Sequence, residues 1–276
     1  MINNHTQLET GHAHIHLLFP EKVDNVLKER YHALLSIQEK DKYNKLKNPK
    51  VKNQYLLTRG LVRTILPHYL EVKPQEISFS YNEHGKPELV INQNQPNIRF
   101  NISHTEGLIS LAVTLENDIG IDVEDTTRKN TTIDIARRFF SISEVENLQK
   151  TPKDEQNSRF FDFWTLKEAY IKARGTGLTL PLSKFSFTLE ETVIAQNHVV
   201  KEKSTSIVPP LCSKGEGGFP HDFEQLQESE PKVFFEPELN DDSSLWSFWL
   251  SSPTEKHRLA LAMKTPSLSV TLIDIR

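Results

Sequence analysis

Polar and apolar residues alternate from His12 to Phe19, HAHIHLLF, at the period of a strand. A helix-like run, EKVDNVLKERYHALL, follows. From Tyr55, the apolar positions of YLLTRGLVRTILPHYL recur three and four apart, which predicts a core helix carrying Arg59 and Arg63 and stopping near Pro67. ISFSYNEHGKPELV reads as strand, turn and strand, the turn marked by Asn82, Gly85 and Pro87 with Lys86 at its tip. IRFNISHTEGLISLAVTL repeats the arrangement with a turn carrying Ser103 and His104. TTIDIARRFFSISEVENLQK gives a helix and then Ser141 followed three places on by Glu144, the capping-box start of another. FFDFWTLKEAYIKARGTGLTLPL is a strongly amphipathic helix ended by Gly175 and Gly177. Residues 190–244 turn rich in Gly, Pro, Ser and charge and read as an inserted excursion. LWSFWLSSPTEKHRLALAMK restores the alternation as a closing hairpin.

Two features break these patterns. His12, His14 and His16 share one side of the first strand, but same-face spacing supplies neither a fourth metal ligand nor a second shell. They are expected to line the solvent face of an edge strand. IGIDVEDTTRKN, from Ile119, places Asp122 and Glu124 side by side on one face of a strand whose other face takes Ile121 and Val123. Two carboxylates so close repel each other, so a positive partner between them is expected. On the last helix Glu168 and Lys172 are four apart and share a face.

The 276 residues, 37% of them hydrophobic, suffice for one large domain or two modest ones. A net charge of −4 gives no whole-molecule attraction to nucleic acid or an anionic membrane, so any phosphate site must be local. The single cysteine, Cys212, excludes an internal disulfide and a cysteine metal cluster. No charged leader or bilayer-spanning stretch is present, and a soluble cytoplasmic protein is expected.

GIDVED, then IARRFFSISEVENL, then FWTLKEAYIKARGTGLTLPLSKFSF closely resembles the phosphopantetheinyl transferases of the surfactin-synthetase-activating type. Their hallmarks are a G-[IV]-D-[VIL]-E strand and a later W-x-x-K-E-[AS]-x-x-K helix, met here by Trp164, Lys167, Glu168, Ala169 and Lys172. HGKP at His84–Pro87 and FNISHT at Phe100–Thr105 match the family's two other signatures in order. The resemblance is weaker over residues 12–83 and says nothing of the 190–244 excursion.

The resemblance implies an α/β (α+β) monomer of two similar halves, each an antiparallel sheet against a long helix, related by a pseudo-twofold axis. The halves would be 1–117, with coenzyme A contacts, and 118–276, with the metal-binding motifs, and coenzyme A would lie between them. It implies transfer of 4′-phosphopantetheine from coenzyme A to a serine of an apo acyl or peptidyl carrier protein, releasing adenosine 3′,5′-bisphosphate. Asp122, Glu124 and Glu168 would ligate Mg²⁺. Glu168 would be the general base, with a metal-bound water or Glu124 as alternatives, and Lys172 would reach a diphosphate oxygen. Lys86, Ser103 and His104 would contact coenzyme A, Lys40 its 3′-phosphate, and Arg59 its 3′-phosphate or adenine side. Gln54 stands near where relatives commonly have an arginine. The alternatives are a Mg²⁺-dependent coenzyme A or nucleotide pyrophosphohydrolase and a non-catalytic carrier-binding module. Which carrier is served is open.

Overall fold

A computed structural model describes residues 8–128, 133–189, 199–202 and 228–275. The excursion expected at 190–244 falls largely outside them. The chain opens with β1 (His12–Leu18), then α1 (Asn25–Leu34), α2 (Ile37–Lys45) and α3 (Pro49–Leu70). A small hairpin, β2 (Phe79–Tyr81) and β3 (Pro87–Leu89), precedes a larger one, β4 (Ile98–Thr105) and β5 (Leu108–Leu115). β6 (Ile119–Asp125) leads into α4 (Ile133–Phe139), α5 (Ile142–Lys150) and α6 (Gln156–Arg174). The remainder is β7 (Phe185–Thr188), β8 (Val199–Glu202), β9 (Glu228–Ser229), β10 (Lys232–Phe235), β11 (Ser247–Thr254), β12 (His257–Met263) and β13 (Ser269–Ile275).

The architecture is mixed α/β, with two main sheets and a long helix against each. The first sheet has the order β4-β5-β1-β13-β8, the second β6-β12-β11-β9. β4, β5 and β1 run antiparallel, whereas β13 joins β1 in parallel, so the last strand of the chain completes the sheet that the first strand began.

Alternation along the strands divides the core in three. Ile109, Leu111 and Val113 of β5 face α3, while Leu108 and Ala112 face the second sheet. Ala260 and Ala262 of β12 face α6, while Leu259, Leu261 and Met263 face the first sheet. The layers therefore run helix, sheet, sheet, helix, and both faces of the central strands are apolar.

This layering corrects the expectation for the histidines. β1 lies between β5 and β13 instead of at an edge, and its histidine side packs on α3. His14 and His16 are buried, and His14 Nδ1 and His16 Nε2 each lie 2.8 Å from the Tyr69 hydroxyl. One hydroxyl can donate to one imidazole and accept from the other, so a single tyrosine serves both. α3 also begins earlier than expected, capped by the Asn48 side chain, and continues through Pro67 to Leu70. Proline near a helix end forfeits only one hydrogen bond, and burial of Leu66, Tyr69 and Leu70 carries the helix past it. The Ser141–Glu144 capping box forms as expected. Among the described residues no helix is long and apolar enough to cross a membrane.

Candidate active site

The site is built where the two sheets meet edge to edge. β4 and β6 end the order of their respective sheets and run beside each other with no shared backbone ladder. Side chains of β4 take up the free amides of β6 instead: Asn101 Oδ1 accepts from Ile121 N at 2.9 Å, and Ser103 Oγ from Val123 N at 3.3 Å. An edge strand's unpaired donors are thereby satisfied, and β6 is held in register against β4 of the first sheet.

On β6, Ile119, Ile121 and Val123 enter the layer between the sheets. The intervening Gly120, Asp122 and Glu124 therefore lie on the α6 side. Gly120 permits very close contact: a Cβ there would stand 2.1 Å from Ala169 O and 2.3 Å from Ala173 N. This contact brings the helix face bearing Glu168 and Lys172 against the carboxylates of β6.

Lys172 Nζ lies 2.6 Å from Asp122 Oδ1 and donates to Ser103 Oγ at 2.9 Å. Ser103 in turn donates to the same Asp122 oxygen at 2.9 Å. The other oxygen, Asp122 Oδ2, is buried and makes no hydrogen bond among the described residues. Glu124 accepts from the indole Nε1 of Trp164 at 3.1 Å and pairs with Arg128. Burial first, and the Asp122 charge second, push its carboxyl up to about 7. The same two causes raise Glu168, with Lys172 opposing them. Lys172 thus pairs with Asp122 and Arg128 with Glu124, one side-chain cation on each carboxylate and no shared one among the described residues. The three carboxylates share one electrostatic field, but among the described residues no three His, Cys, Asp or Glu side chains are grouped as a metal site.

His104 follows Ser103 at the end of β4, and partial burial lowers its pKa with help from Lys172. Ser103, His104, Asp122, Glu124, Glu168 and Lys172 are therefore brought together. Lys40 and Arg59 are not. Lys40 lies on α2, and Arg59 packs on the Tyr55 and Phe79 rings with its Nε 3.9 Å from Glu39. Neither shares a hydrogen bond or ion pair with the carboxylate group among the described residues. The ammonium of Lys86 turns inward from its hairpin and donates to Ile119 O and Ala173 O, each at 3.1 Å. Lys167, from the helix motif, is fully buried, 2.8 Å from Glu144 Oε2, and donates to Leu182 O and Phe185 O. Sequence reasoning passed over Asn101, which shares a strand face with Ser103, and Arg128, one turn of chain beyond Glu124. Two-residue alternation along FNISHT could have pointed to Asn101.

Residues 118–208 match the 4′-phosphopantetheinyl transferase superfamily, and residues 26–116 match the 4′-phosphopantetheinyl transferase N-terminal family. The chain is 35% identical over 163 residues to the 4′-phosphopantetheinyl transferase Sfp of Bacillus subtilis (strain 168), covering 59% of this chain and 70% of that one. It is 31% identical over 204 residues to the 4′-phosphopantetheinyl transferase gsp of Aneurinibacillus migulanus, covering 73% and 83%. With the 4′-phosphopantetheinyl transferase HetI of Nostoc sp. (strain PCC 7120) it shares 36% identity over 146 residues, 53% of this chain and 62% of that one. The chain belongs to the 4′-phosphopantetheinyl transferase superfamily.

Proposed function

We propose that this chain transfers the 4′-phosphopantetheine arm of coenzyme A to a serine of an apo acyl or peptidyl carrier protein, with Mg²⁺, releasing adenosine 3′,5′-bisphosphate. The observation that carries the reading is the state of Asp122. One of its oxygens is held by Lys172 and Ser103, the other is buried without a hydrogen-bond partner among the described residues, and its charge raises two neighbouring carboxyls. Such a cluster is costly unless a cation completes it.

Asp122, Glu124 and Glu168 would hold that cation, an all-oxygen donor set suited to a hard divalent ion. When bound, Mg²⁺ supplies neutralisation of the diphosphate charge as the leaving group departs. Lys172, already anchored by Ser103 and Asp122, offers a point charge to a diphosphate oxygen. His104, one residue on, offers a second contact to the phosphates. Glu168, with no hydrogen bond or ion pair among the described residues, is the group that takes the proton of the carrier serine. The serine oxygen bonds to the phosphorus bearing the pantetheine arm, and the bond from that phosphorus to the bridging oxygen breaks.

The test is incubation with coenzyme A, Mg²⁺ and a purified apo carrier, read by mass spectrometry for the added arm. Transfer is expected, and it should be nearly abolished in folded Asp122→Ala and Glu168→Gln proteins. Robust transfer by either variant removes the assigned roles, and coenzyme A cleavage without a carrier favours a pyrophosphohydrolase.

A further inference from the structure

Lys86 reaches out of the small hairpin of the N-terminal half and into the C-terminal half. The turn that carries it is closed by its own hydrogen bonds. Asn82 Oδ1 accepts from His84 N at 3.0 Å and from Lys86 N at 2.9 Å, and Gly85 takes a positive φ of 82°. From this fixed base the ammonium meets two main-chain carbonyls, Ile119 O at the first residue of β6 and Ala173 O in the last turn of α6. Asn82 adds a third tie through Nδ2 to Gly175 O at 2.9 Å, just where the helix ends with φ at +66°.

Carbonyls of a last helical turn lack intrahelical donors, and a cation there also complements the helix dipole. Here one cation answers both the helix end and the start of the strand. Without it, both carbonyl oxygens would lose this donor. Ile119 precedes Asp122 by three residues, and Ala173 directly follows Lys172. The grip thus acts on the same two elements that carry the carboxylates. Gly120 sets how close α6 lies to β6, and the Lys86 grip sets where along β6 the helix end is held.

We propose that Lys86, with Asn82, is a positioning residue of the transfer reaction, clamping the start of β6 to the last turn of α6 so that Glu168 and Lys172 stay placed over Asp122. The inference rests on the transferase reading of that site. It differs from a role for Lys86 as a contact of coenzyme A, because two of its three donors are directed at main chain.

The decisive variants are Lys86→Met, which keeps length and removes the donors, and Asn82→Asp, which keeps the turn acceptor but replaces the donor to Gly175 O with a carboxylate oxygen facing that carbonyl. Hydrogen–deuterium exchange on the free protein should quicken within residues 119–125 and 171–175 in both, and unchanged exchange overturns the clamp. In the carrier-modification assay, kcat should fall at least about tenfold in Lys86→Met with KM for coenzyme A within about twofold, since small misplacements of reacting groups are costly in rate. Asn82→Asp should fall in the same direction by less. A raised KM at unchanged kcat makes Lys86 a coenzyme A contact and overturns the inference. If the unsubstituted protein transfers nothing while exchange still quickens in the variants, the clamp stands and the transferase reading alone fails.

Discussion

Gly120 lies directly beneath Ala169: a side-chain carbon on Gly120 would fall 2.1 Å from the Ala169 carbonyl oxygen, far inside van der Waals contact. The opposing atoms are helix main chain, so they cannot swing aside as a flexible side chain would. Gly120→Ala must push α6 off β6. Overpacking of this kind costs about 1–3 kcal/mol, and thermal unfolding should register it as a drop of several degrees. Transfer measured well below the new melting temperature should fall further than the folded fraction does. A Gly120→Ala protein with wild-type turnover would show that the helix–strand distance does not matter to the site.

Lys167 and Glu144 form an ion pair with essentially no exposure, 2.8 Å between Nζ and Oε2. Glu144 also caps α5 through Ser141 and accepts from Phe187 N, so the pair ties α5, α6 and β7 together. Removing one partner leaves an uncompensated buried charge, worth about 3–5 kcal/mol. Lys167→Met should therefore lower stability strongly in denaturant titration. Adding Glu144→Gln should recover part of the loss by removing that charge. Additive losses in the double variant would mean that the two groups do not act as a pair.

Glu124 and Glu168 keep their protons to higher pH in the folded chain than they would unfolded, Glu124 to about 7. Folding therefore binds protons between about pH 4.5 and 7, and their contribution to stability falls as pH rises through that window. A divalent cation needs them deprotonated, so its stabilising effect runs the other way. Without divalent ions the melting temperature should be depressed by these groups at pH 8 relative to pH 5, and Mg²⁺ should raise it more at pH 8. Glu124→Gln should shrink the difference. An equal Mg²⁺ effect at both pH values would count against the carboxylates as ligands.

Tyr69 stands between His14 and His16, whose pKa values burial lowers to about 4 and about 3. The unfolded chain takes up protons near 6.5 while the folded chain resists them. Stability from this cluster is therefore full above about pH 6.5 and drains away as pH falls towards 4. Tyr69→Phe should cost about 1–3 kcal/mol at neutral pH by leaving buried ring nitrogens without a partner. Acid titration of unfolding should become flatter in His16→Phe. A Tyr69→Phe protein as stable as wild type would mean that the rings find other partners.

The placement of Asp122 and Glu124 on one strand face, and of Glu168 and Lys172 one turn apart on a helix closed by Gly175, could be read from the chain because each is fixed by local periodicity. So could the turn that presents Lys86, whereas Ser103 and His104, expected in a turn, lie within β4 because its ladder with β5 runs on to Thr105 and Leu108. The meeting of β4 with β6, which makes Asn101 and Ser103 donors' partners for another sheet's edge, could not be read that way. Neither could the inward path of Lys86, the burial of His14 and His16, or the return of β13 to the sheet of β1. Alternation says that two faces differ but not which of them another layer will cover. That choice belongs to contacts between residues far apart in the chain, and only the packed sheets and helices make it.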